Sequence, residues 1–191
     1  MKKLYPYFYL SILFSGCMFY SFRGSLPAHI DTINIAAISN ETAEFGLSEA
    51  IMSQITDQII RENVLDIAGE DDSDSRLAIT VKSVQDKPQS YTAPGNDTGM
   101  YERVEEWQIK ITVEVSWHDL TRDETLFEKT FKPHGSYGTG TDISTDRIDN
   151  DNDGLVDDED DDEFGLPRES ALRIAIEKLA EEIINQITST W

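Results

Sequence analysis

Trp107-Gln108-Ile109-Lys110-Ile111-Thr112-Val113-Glu114-Val115-Ser116-Trp117 is the stretch that decides the fold. Apolar and polar residues alternate along it without a break. Successive side chains of a strand point to opposite faces, so a period of two specifies a long strand with one buried and one wet face. The odd-numbered residues from Trp107 to Trp117 are the predicted core face. Each large aliphatic side chain buried there contributes ~1.5–3 kcal/mol before chain entropy is set against it.

The neighbouring segments follow outward from this strand. Leu120 to Glu124 makes a hairpin turn, and Leu126 to Lys132 returns as a strand with Phe127 and Phe131 on one face. Before it, residues 86–99 hold Pro88, Pro94, Gly95 and Gly99 and read as a loop. Leu77 to Val84 reads as a strand with Leu77, Ile79 and Val81 on one side, preceded by a polar turn over residues 69–75. Ile30 to Ile38 is the first strand, followed by a turn at Asn40-Glu41-Thr42. Leu47, Ala50, Ile51, Ile55 and Ile59 recur at helical spacing between Gly46 and Asn63. Pro167 suits the first turn of a last helix, whose apolar stripe is Leu172, Ala175, Ile176, Leu179, Ile183 and Ile187. The order β-α-β-β-β-α predicts an α+β two-layer sandwich: a four-stranded sheet with two helices on one face. The first helix is expected to make a right-handed crossover.

Composition bounds the function. With 191 residues, 39% apolar and 28% charged, the chain can form one globular domain. Lys and Arg total 16 against 37 Asp and Glu, a net charge of −21. Binding to a phosphate backbone needs clustered cations, so nucleic acid is not the expected partner. The single cysteine allows no internal disulfide, and His29, His118 and His134 lie far apart in no zinc pattern. Gly135-Ser136-Tyr137-Gly138-Thr139-Gly140 is not followed by Gly-Lys-Ser/Thr, so it is no P-loop and reads as flexible linker. No Ser, His and Asp stand in a catalytic frame. The expectation is a binding protein, not an enzyme.

The beginning of the chain reads as an address. Lys2 and Lys3 precede an apolar run over residues 4–14 that is shorter than the ~20 residues a membrane span takes. Leu13-Phe14-Ser15-Gly16-Cys17 follows and resembles the bacterial lipobox. That resemblance implies a signal peptide over residues 1–16, cleavage before Cys17 and a diacylglycerol on its thiol. The lipid would tether the chain to a membrane through residues 17–28. Met18 after the cysteine implies the outer membrane by the sorting habit of such lipoproteins.

Acidity concentrates in one place. Residues 141–163 hold twelve acids and one base, Arg147. Within the segment 139–165, Asp149, Asp151, Asp153, Gly154, Leu155, Asp157 and Asp160 fit D-x-D-x-D-G through position twelve of a calcium loop. Calcium takes six to eight oxygens, from carboxylates and carbonyls. Asp149, Asp151 and Asp153 supply three carboxylates, Gly154 the sharp turn and Leu155 a backbone carbonyl. Asp157 stands at place nine and Asp160 closes the loop. Aspartate at place twelve resembles thrombospondin type-3 and dockerin loops, which implies a Ca2+ site of extracellular type with Kd ~10⁻⁴–10⁻³ M.

The whole pattern resembles one family. The lipobox is followed by Leu26-Pro27-Ala28-His29-Ile30-Asp31-Thr32-Ile33, then by Glu44-Phe45-Gly46-Leu47 and a helix. Pro88-Gln89-Ser90-Tyr91 comes next, then the long strand ending in His118-Asp119-Leu120, then Thr125-Leu126-Phe127-Glu128 and a helix running to Trp191. In this order they resemble the LptE lipoproteins of lipopolysaccharide assembly, over residues 29–191 apart from the acidic insertion. The resemblance implies a non-enzymatic outer-membrane lipoprotein that plugs, and helps to fold, an LptD-like β-barrel. It also implies contact with lipopolysaccharide, for which Lys82, Lys87, Arg103, Lys110, Arg122, Lys129 and Lys132 are the available cations. The polar face Gln108, Lys110, Thr112, Glu114 and Ser116 suits a polar barrel lumen as well as it suits water. The alternative is a surface or periplasmic lipoprotein of another envelope assembly whose calcium-ordered loop recognises a protein.

Overall fold

The computed structural model describes residues 26–92, 103–139, 142–159 and 164–189. The expected signal peptide over residues 1–16, Cys17 and Trp191 lie outside them, as do Asp160 and the Pro94-Gly95 stretch.

The elements are β1 (Thr32–Ile35), β2 (Ser39–Asn40), α1 (Leu47–Glu62), β3 (Asp66–Ile67), β4 (Ser75–Thr92), β5 (Arg103–Asp119), β6 (Glu124–Phe131), β7 (His134–Gly138) and α2 (Pro167–Ser189). The fold is mixed α+β with two helices, as the sequence predicts. Among the described residues, however, the sheet has seven strands in place of four, ordered β3-β1-β4-β5-β6, with β2 beside β4 and β7 beside β5. The extra strands β2 and β3 have two residues each, too short to show a period.

β5 carries the core. Ile109, Ile111, Val113, Val115 and Trp117 are each at most 1% exposed. Trp107 is only half-buried, contrary to the expected core face. Alternation fixes which way a side chain points, not how far the helices reach along the strand. Phe127 and Trp117 meet with ring centroids 6.0 Å apart. Ile111, Val113, Val115 and Trp117 join one cluster with Leu47, Ile51, Ile55 and Ile59 of α1 and with Ala175, Leu179, Ile183 and Ile187 of α2.

The helix ends follow the local chemistry. Gly46 at φ 73° and Asn63 at φ 49° bracket α1 in the left-handed region that these residue types tolerate. Pro167 opens α2, where a missing N–H costs nothing.

β4 corrects the expected loop over residues 86–99: it runs on through Pro88 to Thr92. Proline cannot donate to a ladder, and strands tolerate it at an edge. Among the described residues β2 pairs with β4 at Thr80 and Val81 and no strand lies beside the later part of β4 on that side, so it is such an edge. The register against β5 shifts at Val81/Ser83 and again around Pro88 and Ser90.

β7 corrects the expected linker at residues 135–140. Gly135 and Gly138 are there because neighbours press on them. A Cβ at Gly135 would stand 2.3 Å from the Ala171 carbonyl oxygen of α2. A Cβ at Gly138 would stand 2.7 Å from the Asp146 side chain.

Candidate functional sites

The face of β5 turned from the helices is open. Glu114 is exposed and Gln108, Lys110, Thr112 and Ser116 are half-buried. Lys82 crosses it, with its ammonium 2.9 Å from Glu41 and 3.3 Å from Glu114. This is a wet, polar surface with no catalytic geometry among the described residues.

The acidic segment is stitched to β7 and α2. The Ser136 amide donates to the Asn150 carbonyl at 3.0 Å, and Asn150 Nδ2 returns to the Ser136 carbonyl at 2.8 Å. Asn150 is 1% exposed and Ile143 is fully buried. Gly138 donates its amide to Asp146 Oδ2 at 2.6 Å. Burial raises the Asp146 carboxyl above the ordinary range, against the hydrogen bonds that lower it. Lys178 of α2 donates its ammonium to the Asp151 carbonyl. These bonds to β7 and α2 hold the segment against the repulsion among its carboxylates.

Three of the six predicted calcium ligands come together. Carboxylate oxygens of Asp149, Asp151 and Asp153 lie within 4.8 Å of one another. Asp149 Oδ1 accepts the Asp153 amide at 3.1 Å, and Oδ2 accepts the Gly154 amide at 3.1 Å. Gly154 has φ 98°, a conformation that any side chain would strain. Asp157 is not in the cluster; its Oδ1 accepts the Arg147 amide at 2.8 Å. Leu155 is 42% exposed, its amide donating to Asp153 Oδ1 at 2.8 Å.

The sequence pattern missed a second polar site. His29 Nε2 lies 2.5 Å from Asp119 Oδ2. Asp119 Oδ1 also accepts from the Thr121 amide and hydroxyl and from the Arg122 amide. Burial pushes the Asp119 carboxyl up, but these hydrogen bonds overrule it and hold it well below the usual carboxylate range. Asp74 accepts from the amides of Asp31 and Thr32. Together these fix residues 29–32, where the chain enters the sheet. Ninety positions separate His29 from Asp119, so nothing in either neighbourhood signals the pair.

No described helix is long and apolar enough to cross a membrane. No curated protein matches the sequence. Among solved structures, a protein from Xanthomonas campestris shares 12% identity over 86% of this chain and 89% of its own, with a TM-score of 0.52. A hypothetical protein from Chlamydia trachomatis shares 9% identity over 82% of this chain and 95% of its own, with a TM-score of 0.51. The rare lipoprotein B from Shewanella oneidensis shares 12% identity over 81% of this chain and 92% of its own, with a TM-score of 0.45. For the first two, likeness at such identities is likeness of fold alone. A family model described as LptE, lipopolysaccharide-assembly, matches residues 30–189. That match takes in every described strand and both described helices, and the chain belongs to the LptE family.

Proposed function

We propose that this chain is an outer-membrane lipoprotein that assists lipopolysaccharide assembly as the plug and folding partner of an LptD-like β-barrel. The match to the LptE family across residues 30–189 carries this reading, and that family is not one of enzymes. The open polar face of β5 is the kind of surface that a polar barrel lumen accommodates. A diacylglycerol on Cys17, with further acyl chains, holds the protein at the membrane, since each buried CH₂ contributes ~0.8 kcal/mol. Lipopolysaccharide is the expected ligand of the assembly.

A photo-crosslinking residue at Thr112, in the middle of the open face, tests the reading in cells. The expected product is an adduct with one large β-barrel, while the same residue at the buried Val113 gives none. Adducts with other envelope proteins alone refute it.

A second reading rests on the convergence of Asp149, Asp151 and Asp153 around a positive-φ Gly154. It makes residues 149–160 a weak Ca2+ site, with the Leu155 carbonyl, Asp157 and Asp160 joining the three carboxylates. Calcium would then order a protein-binding loop, on the barrel plug or on a lipoprotein of another envelope assembly. Titration calorimetry is expected to show Kd ~10⁻⁴–10⁻³ M. No calcium heat in that range, or heat unchanged in Asp151→Ala, excludes the site.

A further inference from the structure

We propose that the free edge of β6, with the cleft between it and the C-terminal half of α2, docks an extended, carboxylate-bearing segment of a partner protein. The sheet order ends at β6, which pairs with β5 on one side. Among the described residues no strand lies along its other side. Such an edge presents a row of backbone donors and acceptors to an incoming strand.

A cleft of about 340 Å³ runs beside this edge, between β6 and α2. Phe131 gives it an apolar wall and is itself 3% exposed. Lys129 lies with its ammonium 5.1 Å from the Phe131 ring centre and 2.5 Å from Gln186 Oε1. Lys132 and Glu182 also line the cleft. Burial favours the protonated form of Glu182, against the pull of Lys129 and Lys178.

Charge complementarity identifies the occupant. In a chain of net charge −21, this cleft sets two lysines three residues apart beside an open strand edge. A carboxylate on an added strand meets Lys129 and Lys132, and the partner backbone pairs with β6. A lipid headgroup satisfies the lysines but leaves the backbone of β6 unpaired. Lysines on an edge also serve to repel other strands, and the experiment separates that role from docking. The inference is independent of the barrel proposal, since it concerns the edge of the sheet and not its open face.

A displayed library of random peptides, about ten residues long to match one strand, is panned against the intact folded chain. The expected winners combine β-branched residues with Asp or Glu. Bound peptide slows hydrogen exchange at β6 amides, and Lys129→Glu with Lys132→Glu weakens it by about tenfold or more. Circular dichroism confirms that this variant stays folded. Lys129→Arg with Lys132→Arg retains binding. The docking site is refuted if no peptide enriches, if winners are basic, or if charge reversal changes nothing. Protection of β6 by phosphatidylglycerol vesicles but by no peptide also refutes it, and makes the cleft a lipid face.

Discussion

Gly135→Ala puts the contact between β7 and α2 to a direct test. The new Cβ would lie 2.3 Å from the Ala171 oxygen, 3.0 Å from its carbonyl carbon and 3.1 Å from its Cα, all of them backbone atoms. Ordinary contact begins at 3.4 Å, so the helix must rise by about an ångström or β7 must sink. Neither move is a side-chain rotation. Ala171, Ala175 and Leu179 are fully buried, so a rise of α2 opens the core beneath it. The expected loss of stability is ~2–3 kcal/mol, a fall in Tm of ~5–10 °C at this chain length. Urea unfolding followed by tryptophan fluorescence measures it. Gly69→Ala is the control, because a Cβ there meets nothing within 4 Å and its φ is −68°. It is expected to shift stability by less than ~0.5 kcal/mol. A Gly135→Ala protein as stable as the control refutes the close packing of α2 on β7.

Other substitutions probe the rest of the molecule. Trp117→Ala removes the largest fully buried side chain and is expected to cost ~3–5 kcal/mol in the same assay. The Asp119 carboxyl titrates below its ordinary 3.8 in the fold, so its stabilising contribution is whole above that pH and drains away as pH falls below it. Asp119→Asn is therefore expected to lower Tm at pH 7, with the gap to the parent protein narrowing below about pH 4; a constant gap refutes the assignment. Gly154→Ala is expected to weaken calcium binding about tenfold or more through backbone strain at φ 98°, measured by calorimetry. Cys17→Ser is expected to abolish metabolic labelling with radioactive palmitate, and persistent labelling refutes the lipid anchor.

What the sequence made legible was periodic or punctuated. The alternation of β5 placed five core residues, and Gly46, Asn63 and Pro167 marked helix ends to within a residue. What it hid depends on contacts between distant segments. HGSYG shows no strand pattern, because its glycines answer to Ala171 and Asp146. Pro88 reads as a loop until the edge position of β4 is known. The hold of Asn150 on Ser136 shows in neither segment's own composition. The D-x-D-x-D-G spacing of the acidic segment, by contrast, is local, and Asp149, Asp151 and Asp153 of that spacing lie close together. The position of His29 on Asp119 is written only in the fold.

The central claim is that this LptE-family chain works inside a barrel. Affinity purification of the tagged, lipidated protein from detergent-solubilised outer membrane, with mass spectrometry of its companions, tests it most directly. The account requires one large β-barrel protein in stoichiometric amount. Recovery of the chain alone, or with a different envelope assembly, contradicts it and leaves the Asp149-Asp151-Asp153 cluster as the feature around which its function must be rebuilt.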